Sequence, residues 1–284
     1  MIVTRFAPSP TGLLHLGSAY SALFAARAAR EAGGRFLLRI EDIDRTRCRP
    51  EFTAALFEDL AWLGLRWEEP VRVQSEHFDD YRAALARLDA MGLVYPCFCT
   101  RSEILAEIAA AGGAPHPADP HGADGPLYPG TCRRLSAGER AARLARGDDH
   151  AFRLDTAKAA ARAGPLAWHD RARGPQTARP ELLGDVVLAR KDTPTSYHLA
   201  VTLDDHLQGV TLVTRGEDLF AATHIHRLLQ ALLGLAVPGY HHHKLLTGPD
   251  GRRFAKRDRA LTLRALRESG RTPAEVRAMT GIPD

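Results

Sequence analysis

At 284 residues, with 45% hydrophobic and 25% charged side chains, the chain has the composition of an ordinary soluble enzyme and length for roughly two domains. No apolar run approaches the ~18 residues of a membrane span, and the opening MIVTRFAP lacks the basic-then-apolar layout of a secretory signal, so a cytoplasmic location is expected. The net charge is +4 and lysine stands only at 158, 191, 244 and 256; this arginine-dominated basic excess fits a nucleic-acid partner without requiring one.

The first element predicted is a short apolar strand over 2–6, which the PSPTG stretch at 8–12 cannot continue. A helix begins near Leu16, with Leu16, Ala19, Tyr20, Leu23 and Ala26 on one face and Gly33 and Gly34 as its stop. Residues 35–40 alternate as a strand and run into Glu41. Pro50 then opens a helix carrying Phe52, Leu56, Leu60 and Leu63. Another helix follows Ser75, with Phe78, Tyr81, Leu85 and Leu88 on its face, and ends at Gly92.

Residues 109–130, crowded with Ala, Gly, Pro, His and Asp, read as a loop. Regular structure resumes near Leu183. A strand over 209–214 runs into Arg215–Asp218 (RGED), and a helix carries Ile225, Leu228, Leu229 and Leu232 up to Gly234. Thr272 and Pro273 mark a last helix start. Alternating strands and helices predict an α/β fold with a mainly parallel sheet. Its halves lie at 1–96 and 176–258, with an insertion at 97–175 and a helical tail at 259–284.

Two places carry chemistry. The loop 8–18 (PSPTGLLHLGS) lies between the first strand and first helix, where α/β folds bind nucleotides. There Gly12 and Gly17 permit close backbone approach, the helix start offers N–H groups to an anion, and His15 adds a donor. Cys97, Cys99 and Cys132 supply three thiolates for a structural Zn²⁺, with His116 and His121 as the chemically common candidates for a fourth ligand. Cys48 has no partner motif and is given no role.

The RFAPSPTG stretch at 5–12 with HLGS at 15–18 resembles the first signature of the glutamyl-tRNA synthetase family, class I aminoacyl-tRNA synthetases. EDID at 41–44, YHLA at 197–200, DDHLQGV at 204–210 and RGED at 215–218 resemble the same family, in the same order. The resemblance implies a Rossmann-type core that binds ATP·Mg²⁺ and activates glutamate. By motif position it places ATP at Pro8, Gly12, His15, Gly17 and Ser18, and the amino acid at Arg5, Ser9, Glu41, Tyr197 and Arg215. Arg5 or Arg215 can clamp a carboxylate, and Glu41 can pair with the ammonium.

The late RFAKR at 253–257 aligns with the second class I signature but keeps only its second lysine, Lys256, with Arg253 in place of the first. Lys256 and Arg253 are expected to neutralise the pyrophosphate leaving group, and His15 with Lys256 to be the catalytic pair. For the cysteine cluster the resemblance implies Tyr128 as fourth zinc ligand. Asp204 and Asp205 are expected to be structural, holding loops near the ATP site. The run His241–His243 is read as loop or strand filler, because neighbours on a strand face opposite ways.

After Lys256 only 28 residues follow, where full-length members continue into helical domains that read the anticodon. The resemblance therefore narrows to the short paralogous branch that esterifies the queuosine base in the anticodon of tRNA(Asp) with glutamate; a monomer is expected. Two alternatives stand beside it: a truncated enzyme charging the tRNA 3′ end, and a non-catalytic RNA-binding paralogue suggested by the altered 253–257 signature.

Overall fold

The computed structural model describes residues 1–110, 127–246 and 262–282. The first strand, β1 (Val3–Phe6), is buried at every position, as befits a strand covered on both faces. It pairs in parallel with β2 (Arg35–Ile40), and β2 pairs in parallel with β3 (Glu68–Val73). On the other side of β1 lies β9 (Leu212–Gly216), joined by a bond from Thr211 N to the Val3 carbonyl at 3.0 Å. Beyond it run β10 (Gly239–His243) and β6 (Ala167–Asp170), both parallel, and an antiparallel edge strand, β7 (Gly174–Thr177).

Alternation along these strands sorts the side chains. Phe36, Leu38 and Ile40 join the core formed with α1 (Leu16–Glu31) and α2 (Pro50–Trp62). Leu37 packs instead with Val3, Val213 and Tyr240, on the opposite face. Period-2 spacing then sends Arg5, Arg39, Arg215 and His242 to that second face as well. It is covered by α7 (Tyr197–Leu207), and α7 packs with α3 (Phe78–Ala90) and α8 (Ala222–Leu233) around a second apolar core.

A separate antiparallel sheet has the order β4 (Val94–Cys97), β5 (Ala151–Leu154), β8 (Val187–Arg190). Three further helices are α4 (Arg101–Ala110), α5 (Ala137–Ala145) and α6 (Thr156–Ala163), the last packed against α8 in the second core. By number β6 falls in the expected insertion and β8 after it, yet β6 pairs with β10 and β8 with β5. The tail forms α9 (Leu263–Glu268) and α10 (Pro273–Thr280), the latter started by a capping box of Thr272 and Glu275. Leu263, Leu266 and Val276 bury into the α1–α2 core. No helix among the described residues is long and apolar enough to cross a membrane.

One strand departs from its predicted bounds. Residues 209–214 were expected to be extended, but Gly209 takes φ +65° to leave α7, and β9 starts at Leu212 and continues through Gly216. Arg215 is therefore a strand residue whose direction is fixed by the sheet.

Candidate active site

His15 caps α1 with its own ring: Nδ1 accepts from Ser18 N at 3.2 Å. Gly17 belongs to this arrangement, because a Cβ there would meet the His15 ring at 3.1 Å. With Ser18 N taken by His15, the first-turn N–H groups without a partner among the described residues are those of Leu16 and Gly17. The preceding loop is tied down by Glu41 N bonding the Pro8 carbonyl at 3.0 Å and Arg49 N the Pro10 carbonyl at 3.2 Å. At Gly12 a Cβ would meet nothing within 4 Å, so that side of the loop is open. Arg253 and Lys256 lie outside the described residues. The chain that follows them returns to this place, since Thr262 bridges to His15 and Leu263 N bonds the Leu14 carbonyl at 2.8 Å.

A cleft of about 970 Å³ opens beside the loop, with Ser9, Thr11, Glu41, Tyr197 and His198 in its wall. Behind that wall the sheet arginines divide into two groups. Arg5 is bound to Asp205, Nε to Oδ1 at 2.9 Å and Nη2 to Oδ2 at 3.4 Å. Arg39 donates to the same Asp205 at 2.8 Å and to Glu41 at 3.0 Å. Burial alone would raise Asp205, but Arg5 and Arg39 outweigh it and hold the carboxyl below its usual range. Burial wins at Glu41, whose carboxyl is raised although Arg39 and Arg5 pull it down.

Arg215 is different. Its Nε bonds His242 Nε2 at 3.1 Å, Nη1 bonds the Tyr197 hydroxyl at 3.1 Å and His226 Nδ1 at 3.3 Å, and Nη2 bonds Thr223 Oγ1. All four partners are neutral side chains: burial and Arg215 hold His226 well below its ordinary pKa and bring His242 down to about 3. No carboxylate touches this buried guanidinium among the described residues.

Asp204 and Asp205 are structural, as expected, but from α7 they hold side chains of the sheet and of β3–α3 instead of loops near the ATP site. Asp204 accepts from Arg72 at 2.7 Å, Gln74 at 2.8 Å and Tyr81 at 2.8 Å. The histidine run is likewise more than filler. Alternation puts His241 against Phe24, at 4.8 Å between ring centroids, while His242 reaches Arg215 and Asp170 on the other face. Arg39, Asp170, Thr223, His226 and His242 were all missed from sequence. The one signal available was an arginine inside the apolar run of β2, where burial demands an ion partner.

The cysteine cluster sits where β4 ends, at one side of the cleft. The three sulfurs of Cys97, Cys99 and Cys132 lie within 4.8 Å of one another. Cys99 Sγ is 3.4 Å from Cys132 Sγ and 3.5 Å from the Tyr128 hydroxyl. Burial pushes the Cys99 thiol up to about 12; burial also raises Cys132, but hydrogen bonds from Tyr128 and Phe98 N outweigh it and lower that thiol. Tetrahedral Zn–S bonds of about 2.3 Å place sulfurs roughly 3.8 Å apart, so the spacing suits such an ion, with the Tyr128 oxygen at its edge. His116 and His121 lie outside the described residues.

The sequence model of the family described as tRNA synthetases class I (E and Q), catalytic domain, matches residues 1–280. The chain belongs to this family. Among its class I relatives it is 50% identical, over 99% of its own length and 100% of the relative's, to a glutamyl-Q tRNA(Asp) synthetase of Rhodobacter capsulatus. It is 41% identical to a glutamate–tRNA ligase 2 of Nitrosococcus oceani over 95% of this chain and 56% of that one. A solved glutamate tRNA ligase of Elizabethkingia meningosepticum, in complex with its amino acid, superposes with a TM-score of 0.74 at 30% identity. That match covers 90% of this chain and 52% of the other, so the chain spans about half the length of the solved structure.

Proposed function

We propose that this chain activates glutamate with ATP and transfers it to the queuosine base in the anticodon of tRNA(Asp). The observation that carries the activation step is Arg215, a buried guanidinium bonded only to neutral groups and set directly behind Tyr197 at the cleft. An anionic amino acid supplies the counter-charge that the described side chains do not. The choice of acceptor rests on likeness, 50% identity to the glutamyl-Q synthetase against 41% to the glutamate–tRNA ligase.

In this reading ATP·Mg²⁺ lies at the start of α1, along Pro8, Gly12, His15, Gly17 and Ser18. Glu41 meets the substrate ammonium beside Ser9. Arg215 and Tyr197 serve the substrate carboxylates, while Arg5, bonded through Nε and Nη2 to Asp205 and through Nη1 to the Thr214 carbonyl, supports the wall behind them. The Tyr197 hydroxyl accepts from Arg215, which leaves its own proton to donate to the substrate. One oxygen of the α-carboxylate attacks the α-phosphorus and pyrophosphate leaves, its charge met by Arg253 and Lys256. A hydroxyl of the queuosine ring then attacks the carbonyl carbon and AMP departs, leaving an ester. Held positions and neutralised charge supply the catalysis.

Cys97, Cys99, Cys132 and Tyr128 would hold one Zn²⁺, whose part is to brace the 128–134 turn against the end of β4. The catalytic core is assigned to the sheet that runs from β3 through β1 and β9 to β7 with its helices, the inserted unit to the β4–β5–β8 sheet and the cysteine cluster, and the tail to α9 and α10, in a cytoplasmic monomer. The test is ATP–pyrophosphate exchange with each standard amino acid without tRNA, followed by transfer of labelled glutamate to queuosine-containing tRNA(Asp) and to tRNA(Glu). Exchange with glutamate and labelling of tRNA(Asp) alone is expected. Labelling of tRNA(Glu) at its 3′ end would replace the acceptor, and absence of exchange both without tRNA and with it added would overturn the activation step.

A further inference from the structure

The Arg215 guanidinium is held from behind by a relay that crosses three strands and the β6–β7 turn. At the far end Asp170, the last residue of β6, accepts on Oδ1 from Ala172 N at 2.9 Å and Arg173 N at 3.0 Å, which fixes the carboxylate to its own turn. Its other oxygen, Oδ2, accepts from His242 N at 3.1 Å and lies 2.6 Å from His242 Nδ1. A carboxylate can only accept, so the His242 proton sits on Nδ1. His242 Nε2 then carries a lone pair, and 3.1 Å away it meets Arg215 Nε, which can only donate. The order is carboxylate, imidazole, guanidinium, with each donor facing an acceptor.

The relay does two things for Arg215. It fixes the plane of the guanidinium, since Nε is bonded to His242 while Thr223 holds Nη2 and Tyr197 and His226 hold Nη1. The fifth N–H, on Nη2, has no partner among the described residues. It also places the Asp170 charge one imidazole away, near enough to steady a buried cation yet unable to occupy its ligand-facing edge. Arg5 shows the contrast, because Asp205 bonds that guanidinium directly through two nitrogens.

We propose that Asp170 and His242 are positioning residues for amino-acid binding, acting through Arg215 to set the edge that receives a substrate carboxylate. The proposal rests on the glutamate-activating reading above. Asp170→Asn reverses the relay: the new amide donates toward Nδ1, the imidazole proton moves to Nε2, and an N–H then faces the Arg215 N–H. His242→Leu removes the acceptor and keeps apolar bulk. His242→Gln keeps one donor and one acceptor.

The measurement is glutamate-dependent exchange, with KM for glutamate and for ATP determined separately for wild type and the three variants. A hydrogen bond to a charged group is worth about 10–100-fold here. Asp170→Asn and His242→Leu should raise the glutamate KM by about that factor and the ATP KM by less than about 3-fold, while His242→Gln stays within about 5-fold of wild type. A general loss of structure would move both KM values together and spare none of the three variants. Equal rises in both constants, or an unchanged glutamate KM in Asp170→Asn, would overturn the positioning role while leaving activation intact. Wild-type protein that fails to exchange with glutamate would overturn the proposed function, and this inference with it.

Discussion

Asp59 shows how a single buried group couples this fold to pH. It lies fully buried on α2, and neither carboxylate oxygen has a hydrogen-bond partner among the described residues. Arg267 of α9 approaches only to 3.8 Å. Burial outweighs the pull of Arg267 and Arg264 and brings the carboxyl up to about 6 from an ordinary 3.8. Between those values the folded chain binds more protons than the unfolded one. Stability from this group is therefore complete below the unfolded pKa and is lost as pH rises through about 6. Asp59→Asn should stabilise the protein at pH 8 by on the order of 1–2 kcal/mol and change little at pH 4, read as thermal midpoints. A lower midpoint at both pH values would mean that the ion pair with Arg267 outweighs burial. Such partners were beyond the sequence: Asp59 occupies an ordinary helical position, and its burial comes from a helix some two hundred residues later. Glu41 and Tyr197 were legible because they stand inside recognisable strings, and the cleft brings them together with Ser9.

Local signals decided which elements could be read. Pro50 at the first turn of α2, Gly234 in the left-handed conformation after α8, and the Thr272–Glu275 capping box of α10 are short-range chemistry, and the helices fall where those residues put them. Strand partners are set at long range, which is why β6 and β8 were not assigned to their sheets and why Arg215 was placed after β9 instead of within it. The cysteine cluster combines both kinds of signal. Cys97 and Cys99 flank Phe98 at the end of β4, and Phe98 N bonds Cys132 Sγ at 3.3 Å across the 3₁₀ turn Thr131–Arg134. If Zn²⁺ closes this unit, purified protein should carry about one zinc per chain by elemental analysis, and Cys132→Ser should carry almost none and melt at a lower temperature. Tyr128→Phe also removes the acceptor of Cys132 N, and should release zinc to a chelator about 10–100-fold more readily. Metal-free wild type that melts like the loaded protein would instead make the cluster a small core of reduced thiols.

At the scale of the whole molecule, the cleft lining mixes buried and exposed charge. Glu41 in it is buried, whereas Arg47, Arg101 and Arg190 in the same lining are exposed. Arg47 is paired with Asp44 at 2.7 Å and Arg190 with Asp192 at 3.2 Å, but Arg101, at the first position of α4, has no ion partner among the described residues. On the proposed function, an anionic amino acid is met by the buried groups, whereas an anticodon loop that entered the same cleft would bring its phosphates to these exposed arginines. Two steps of one reaction should therefore respond differently to salt. Each phosphate contact releases counterions and contributes about −0.7 to the slope of log affinity against log salt for single-stranded RNA, whereas exchange with glutamate and ATP depends on buried, poorly screened groups. Binding of queuosine-containing tRNA(Asp), followed by anisotropy from about 50 to 300 mM salt, should have a slope of roughly −2 to −3 if three or four phosphates are held. Arg101→Ala should make that slope shallower by about 0.7, weaken binding several-fold at low salt and leave the exchange rate unchanged. A parallel loss of exchange would place Arg101 in amino-acid activation, and an unchanged slope would move the RNA to another face of the molecule.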